Sequence, residues 1–205
     1  MIEFSNTIIS WYEKEKRDLP WRQINDPYKI WLSEIILQQT KVSQGLPYYL
    51  KFIELFPTVE DLASASEEKV LNAWKGLGYY SRARNLHYTA KLIVGNYGAV
   101  FPNTYKELLS LKGVGEYTAA AIASFCFSEK VPVVDGNVYR VLSRVFNLNS
   151  AIDSGAGKKQ FRELAEELLS KKDPATHNQA IMEFGALQCV PKNPNCDVCP
   201  FGSSC

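Results

Sequence analysis

The sequence predicts an all-α fold. Apolar residues recur at helical spacing along most of the chain, as Phe4, Ile8, Trp11 and Tyr12 do between residues 4 and 15. Helix-start residues stand ahead of these runs at Asp26-Pro27, Thr58, Ser66, Asp135 and Asp173-Pro174. Strand patterns are nearly missing, with "VPVV" at 131–134 the only short candidate.

The elements follow in order. The N-terminal stretch is one amphipathic helix, and Asp26-Pro27 then punctuates the chain. "FPTVEDLASASEEKVLNAW" carries two helix starts, Thr58 and Ser66, each with a carboxylate soon after. "GLGYYSRARNLHYTAKLIVGNYG" is a glycine turn, a helix and a glycine stop. "PNTYKELLSLKGVGEYTAAAIASF" is a short helix, a tight Gly113-Val114-Gly115 turn and an alanine-rich helix. "VDGNVYRVLSRVF" starts a helix at Asp135, and "DPATHNQAIMEFGALQC" starts another with Pro174 in its first turn.

The helix after Pro27 contains "WLSEIILQQT". Ile30, Trp31, Leu37 and Gln38 share a face with Glu34, and Leu32, Ile35 and Ile36 cover most of the rest. A helix apolar nearly all round is a buried helix. An isolated carboxylate there is paired, neutralised or functional, because burying its charge is costly.

Hydrophobic residues make up 46% and charged residues 22%, the balance of a globular protein with room for one domain or two small lobes. Charges interrupt every apolar stretch before membrane-spanning length, and the acidic N-terminus is unlike a secretory signal, so the expected compartment is the cytoplasm. The net charge of +1 neither demands nor excludes nucleic acid. The local clusters Lys75, Arg82, Arg84, then Arg140, Arg144, then Lys158, Lys159, Arg162 read on charge alone as solvated helix faces. There is no phosphate-binding loop motif, and His87 and His177 are the only histidines, too few for a credible nucleophile triad.

Four of the five cysteines, Cys189, Cys196, Cys199 and Cys205, fall in the last 17 residues with spacing x6, x2, x5. In a reducing compartment this grouping is a metal site rather than a disulfide set, and both zinc and a four-iron four-sulfur cluster accept four thiolates. Cys126 reads as a small buried apolar residue. "LKGVGEYTAAAI" has the form of a helix-hairpin-helix, whose glycines expose backbone amides at a helix start, a phosphate-binding arrangement blind to base sequence. In "GLGYYSRAR", Tyr79 and Tyr80 precede Arg82 and Arg84, and an aromatic beside arginines suits insertion into a base stack.

The cysteine loop, the hairpin and "SEIILQQT" together resemble the MutY-type adenine DNA glycosylases of the helix-hairpin-helix superfamily. "LPWRQ", "FPTVEDLA", "GLGYYSRARNLH", "VDGNVYRVLSR" and "NQAIMEFGALQC" extend the resemblance from residue 19 to residue 205. It implies two lobes: a six-helix barrel over 27–134 that carries the hairpin, and a second lobe of 1–26 with 135–205 that holds one 4Fe-4S cluster on Cys189, Cys196, Cys199 and Cys205. It implies double-stranded DNA as partner, with adenine opposite 8-oxoguanine or guanine flipped out and excised at the cleft. It also implies a monomer associated with the nucleoid.

By the same resemblance Glu34 is the general acid that protonates adenine N7, its pKa raised by its apolar helix. Asp135 stabilises or traps the cationic sugar, by the logic of retaining glycosidases, and Asn137 orients the site. Tyr117 stands where endonuclease III has its Schiff-base lysine, and Tyr139 at another side-reaction lysine, so the enzyme is expected to be monofunctional. Trp21, Arg22, Leu37 and Gln179 line the adenine pocket. Gln39 and Tyr79 fill the base stack after flipping, while Arg82, Lys112, Gly113 and Gly115 belong to the DNA-binding surface. Family members usually carry a C-terminal domain that helps to recognise 8-oxoguanine; this sequence stops before it, and base excision is expected to survive without it. Three alternatives stay open: a mismatch-thymine or oxidised-pyrimidine glycosylase, a non-catalytic iron-sulfur DNA-binding module, and a zinc-binding interaction protein.

Overall fold

The computed structural model describes residues 2–205. Among them the chain forms α1 (Ile2–Glu15), α2 (Pro27–Leu37), α3 (Val42–Leu55), α4 (Val59–Ser64), α5 (Glu67–Trp74), α6 (Ser81–Tyr97), α7 (Tyr105–Leu109), α8 (Glu116–Phe127), α9 (Gly136–Val145), α10 (Gly155–Leu168) and α11 (Pro174–Leu187), with one 3-10 turn at Cys196–Val198. No strand forms among the described residues. "VPVV" is extended but pairs with a side chain instead of a strand: Val133 N donates to Asn178 Oδ1 at 3.0 Å, and Asn178 Nδ2 donates to Val131 O at 2.9 Å.

The helix starts are local chemistry. Asp26 Oδ1 accepts from Tyr28 N and Lys29 N, Thr58 and Asp61 form a reciprocal capping box, and Ser66 accepts from Lys69 N. Helix α3 has no side-chain cap and contains Pro47, which removes an internal donor, whereas α10 opens on "GAG" behind Ser154, whose Oγ accepts from Gly157 N at 3.0 Å.

By internal packing the chain divides into two compact units, Leu19–Phe127 and Met1–Asp18 with Ser128–Cys205. Their dividing points precede the expected 27 and 135. Residues 19–26 join the first unit because Trp21 is buried edge-on against Tyr49, ring centroids 5.0 Å apart. Residues 128–134 join the second because Asn178 of α11 grips their backbone.

In the Leu19–Phe127 unit α2 lies against α3 and α8, α4 against α6, and α7 against α8. Trp31, Phe52, Phe56, Leu62, Trp74 and Leu86 are fully enclosed. In the other unit α11 packs on α1 and α9 around Ile8, Val141, Phe161 and Phe184. No helix among the described residues is long and apolar enough to cross a membrane.

Candidate functional site

Most of the singled-out residues belong to the Leu19–Phe127 unit. Glu34 is buried in α2, 7% exposed, beside Ile30, Trp31, Leu32, Ile35 and Ile36. The neighbouring face of α8 is buried from Thr118 to Ser124. Cys126 is half-buried rather than fully buried, and its thiol is pushed up to about 12, first by burial and then by the carboxylates of Asp26 and Glu34. Gln38, at the C-terminus of α2, donates from Nε2 to Thr118 Oγ1 at 3.5 Å. Trp21 is buried, while Arg22 and Leu37 are half-buried.

The hairpin between α7 and α8 closes with Val114 N donating to Leu111 O at 3.1 Å. Gly113 is required twice over: its φ is +80°, and a Cβ there would meet Asn85 Cβ at 2.8 Å. Gly115 faces open space. Thr89 Oγ1 holds Lys112 O at 2.7 Å, and the Lys112 ammonium sits 4.6 Å from the Tyr88 ring centre. Tyr117 is half-buried one residue into α8.

Gln39 and Tyr79 are exposed, Tyr79 by 65%, and both have positive φ, 54° and 46°. Arg82 departs from its expected place on the DNA-binding surface. Its guanidinium is directed inward, where Nη1 donates to the carbonyls of Ile35, Ile36 and Gln38 and Nη2 to those of Leu77 and Gly78. Trp74 and Tyr79 lie beside it, 5.1 and 5.7 Å away. These contacts engage both terminal nitrogens, while Nε is buried without a hydrogen-bond partner.

The unit of residues 1–18 and 128–205 holds the remainder. Asp135 caps α9, with Oδ1 accepting from Val138 N and Oδ2 from Asn137 Nδ2, both at 2.8 Å. Burial raises its pKa, and these hydrogen bonds and the Arg140 charge pull it back. Asn137 is pressed against Gly185 of α11, where a Cβ would meet the Asn137 backbone oxygen at 2.9 Å. Gln179 is half-buried and accepts from Tyr12 OH at 2.7 Å.

Arg140 and Arg144 are not solvated faces. Arg140 donates to Asn137 Oδ1, Gly185 O and Cys189 O; Arg144 donates to Val190 O and Pro191 O and lies 3.4 Å from Cys189 Sγ. Their charge pattern gave no sign of this, because the partners are carbonyls more than 40 residues away. Also unflagged by sequence was Glu183, fully enclosed and paired with Arg17 at 2.6 Å.

The cysteine loop folds around short turns: Cys199 N donates to Cys196 O, Gly202 N to Cys199 O, and Cys205 N to Phe201 O. Phe201 anchors it, stacked on Phe4 at 5.0 Å and edge-on to Phe184 at 5.4 Å. All five cysteines are free thiols. Burial raises the Cys199 pKa, and Cys189, Cys196 and Cys205 raise it further, so those three sulfurs lie within electrostatic reach of Cys199. Among the described residues no three His, Cys, Asp or Glu side chains are drawn together as ligands of a metal ion.

Residues 32–171 match the family model of the HhH-GPD superfamily base excision DNA repair proteins. The chain is 44% identical over 211 residues to the adenine DNA glycosylase of Homo sapiens, covering 98% of this chain and 39% of that protein. It is 41% identical over 207 residues to that of Buchnera aphidicola subsp. Baizongia pistaciae, covering 98% and 57%. The chain thus spans about half the length of these relatives. A thermostable thymine-DNA glycosylase has a similar structure, with a TM-score of 0.90, 32% identity, and 99% of this chain and 94% of that one covered. Endonuclease III in a complex with DNA shares the fold, with a TM-score of 0.82 at 19% identity, covering 99% and 92%. By the family match and the 32% identity over nearly the whole of a solved relative, the chain belongs to the HhH-GPD superfamily of base excision DNA repair proteins.

Proposed function

We propose that the protein is a monofunctional adenine DNA glycosylase acting on adenine opposite 8-oxoguanine or guanine. The observation that carries this reading is the 41–44% identity, over 98% of the chain, to proteins named adenine DNA glycosylase. Loss of adenine requires a proton on its ring and stabilisation of the sugar cation left behind. Glu34, enclosed in an apolar helix, suits the first task as general acid toward N7. Asp135, fixed by Val138 N and Asn137, suits the second as stabiliser or nucleophile toward the sugar, with Asn137 holding its orientation. Tyr117 has no amine and forms no Schiff base, so the strand stays intact after base release.

We assign adenine binding to Trp21, Arg22, Leu37 and Gln179. Extrusion of the base costs a few kcal/mol, offset by Gln39 and Tyr79 in the vacated stack and by phosphate contacts at Lys112, Gly113 and Gly115. A 4Fe-4S cluster on Cys189, Cys196, Cys199 and Cys205 is the cofactor we assign. The donor set fits it in kind: four free thiols in one loop, three of them within electrostatic reach of Cys199, with the Arg144 cation beside Cys189. When bound, the cluster would supply structural closure of the loop. We place the protein at the nucleoid in the cytoplasm, as a monomer.

The 32% identity to a thymine-DNA glycosylase favours a second reading, removal of mispaired thymine. One experiment separates them: single-turnover base release, followed by alkali, from duplexes with A opposite 8-oxoguanine or T opposite G, using wild type and Glu34→Gln. The adenine reading expects alkali-dependent cleavage at adenine by wild type alone. Cleavage only at thymine, or strand scission without alkali, would overturn it.

A further inference from the structure

Gln39 and Tyr79 are exposed residues in a backbone conformation that side chains disfavour, with φ of 54° and 46°. Such conformations persist only where the surroundings enforce them. The two lie in different turns, one after α2 and one before α6, yet the same side chain serves both. Arg82 Nη1 donates to Gln38 O at 2.6 Å, and Arg82 Nη2 approaches Gly78 O at 3.4 Å. These are the carbonyls of the peptide groups immediately preceding Gln39 and Tyr79, and the orientation of that group helps to set φ.

Further contacts lock each side. Nη1 also holds Ile35 O and Ile36 O at 3.0 Å, collecting carbonyls that the end of α2 would otherwise leave unmatched. Trp74 Nε1 donates to Gly78 O at 3.0 Å, and the rings of Trp74 and Tyr79 lie beside the guanidinium. A planar fork can serve two turns at once, whereas a lysine ammonium is a single point charge.

We propose that Arg82 is a positioning residue that ties the end of α2 to the turn before α6, so that Gln39 and Tyr79 stand out together as a single two-residue wedge for a DNA base stack. This rests on the reading of those two residues given above. Arg82 itself touches no DNA.

The test compares wild type with Arg82→Lys on a duplex carrying A opposite 8-oxoguanine and 2-aminopurine as the neighbour of that adenine. Anisotropy reports binding, 2-aminopurine fluorescence reports unstacking, and the crystal structure of the variant reports φ at Gln39 and Tyr79. The variant is expected to bind, to show a fluorescence step and an excision rate about tenfold lower, and to relax at least one of the two φ angles to a negative value. A purely structural role would lower the melting temperature and leave the fluorescence step intact in the folded fraction. A wild-type step, or both φ angles retained, overturns the proposal. If wild type itself binds without a step, the wedge reading of Gln39 and Tyr79 has failed, and the positioning role falls with it. If Arg82→Lys does not fold, Gln39→Ala, Tyr79→Ala and the double variant decide in the wild-type background: a unit gives non-additive losses, and additive losses refute it.

Discussion

Replacing His177 with glutamine removes one titratable ring from the interior of the terminal unit, and the effect on stability should depend on pH. His177 is 2% exposed in α11, with Ser5 Oγ 3.0 Å from its Nδ1 and the Phe4 ring beside it. Burial lowers its pKa from 6.5 to about 4, against a small opposing pull from Asp173. The folded state therefore favours the neutral ring, while the unfolded chain takes up a proton near the ordinary value. Above the unfolded pKa this group imposes no penalty. As pH falls from 6.5 towards about 4 the unfolded state binds the extra proton and stability is lost, by up to about 3 kcal/mol at 1.36 kcal/mol per unit. Glutamine can still bond Ser5 but cannot titrate. Urea unfolding followed by tryptophan fluorescence at pH 7.5 and pH 4.5 measures the difference: wild type should lose about 2–3 kcal/mol more than His177→Gln over that interval. A proton NMR titration gives a second reading, with the His177 ring expected to titrate near 4. Parallel pH dependence of the two proteins, or a ring that titrates near 6.5, would refute the reasoning.

Gly113→Ala should destabilise the hairpin unit by about 1–3 kcal/mol and weaken DNA binding, whereas Gly115→Ala, in open space at ordinary φ, should leave the thermal midpoint nearly unchanged. Calorimetry of the two variants checks this, and equal shifts would contradict it. Arg17→Ala leaves the enclosed Glu183 carboxylate without its guanidinium and should cost about 3 kcal/mol or more in urea unfolding; a change below about 0.5 kcal/mol would show that the pair does not hold the terminal unit. Arg144→Gln removes the cation beside Cys189 and the donors to Val190 O and Pro191 O, so iron content and visible absorbance of the purified protein should fall. Unaltered iron loading would show that the loop closes without that arginine.

The sequence by itself determined what depends on neighbours within a few residues. The Asp26, Thr58, Ser66, Asp135 and Asp173 helix starts were legible because each side chain caps a backbone amide two or three positions on. Helix α2 was legible as buried because it is apolar on all faces, and the grouping of four cysteines marked their loop as one chemical unit. Tertiary structure decided where long side chains go. Arg82, Arg140 and Arg144 look alike in sequence, as basic residues on helices, and all three turn inward to carbonyls that only folding brings within reach. Asn178 likewise takes "VPVV" out of any strand by satisfying its backbone from 45 residues away. A donor that can reach many acceptors carries no local mark of the one it will find; a capping residue has only one choice, and so its place is written in the chain.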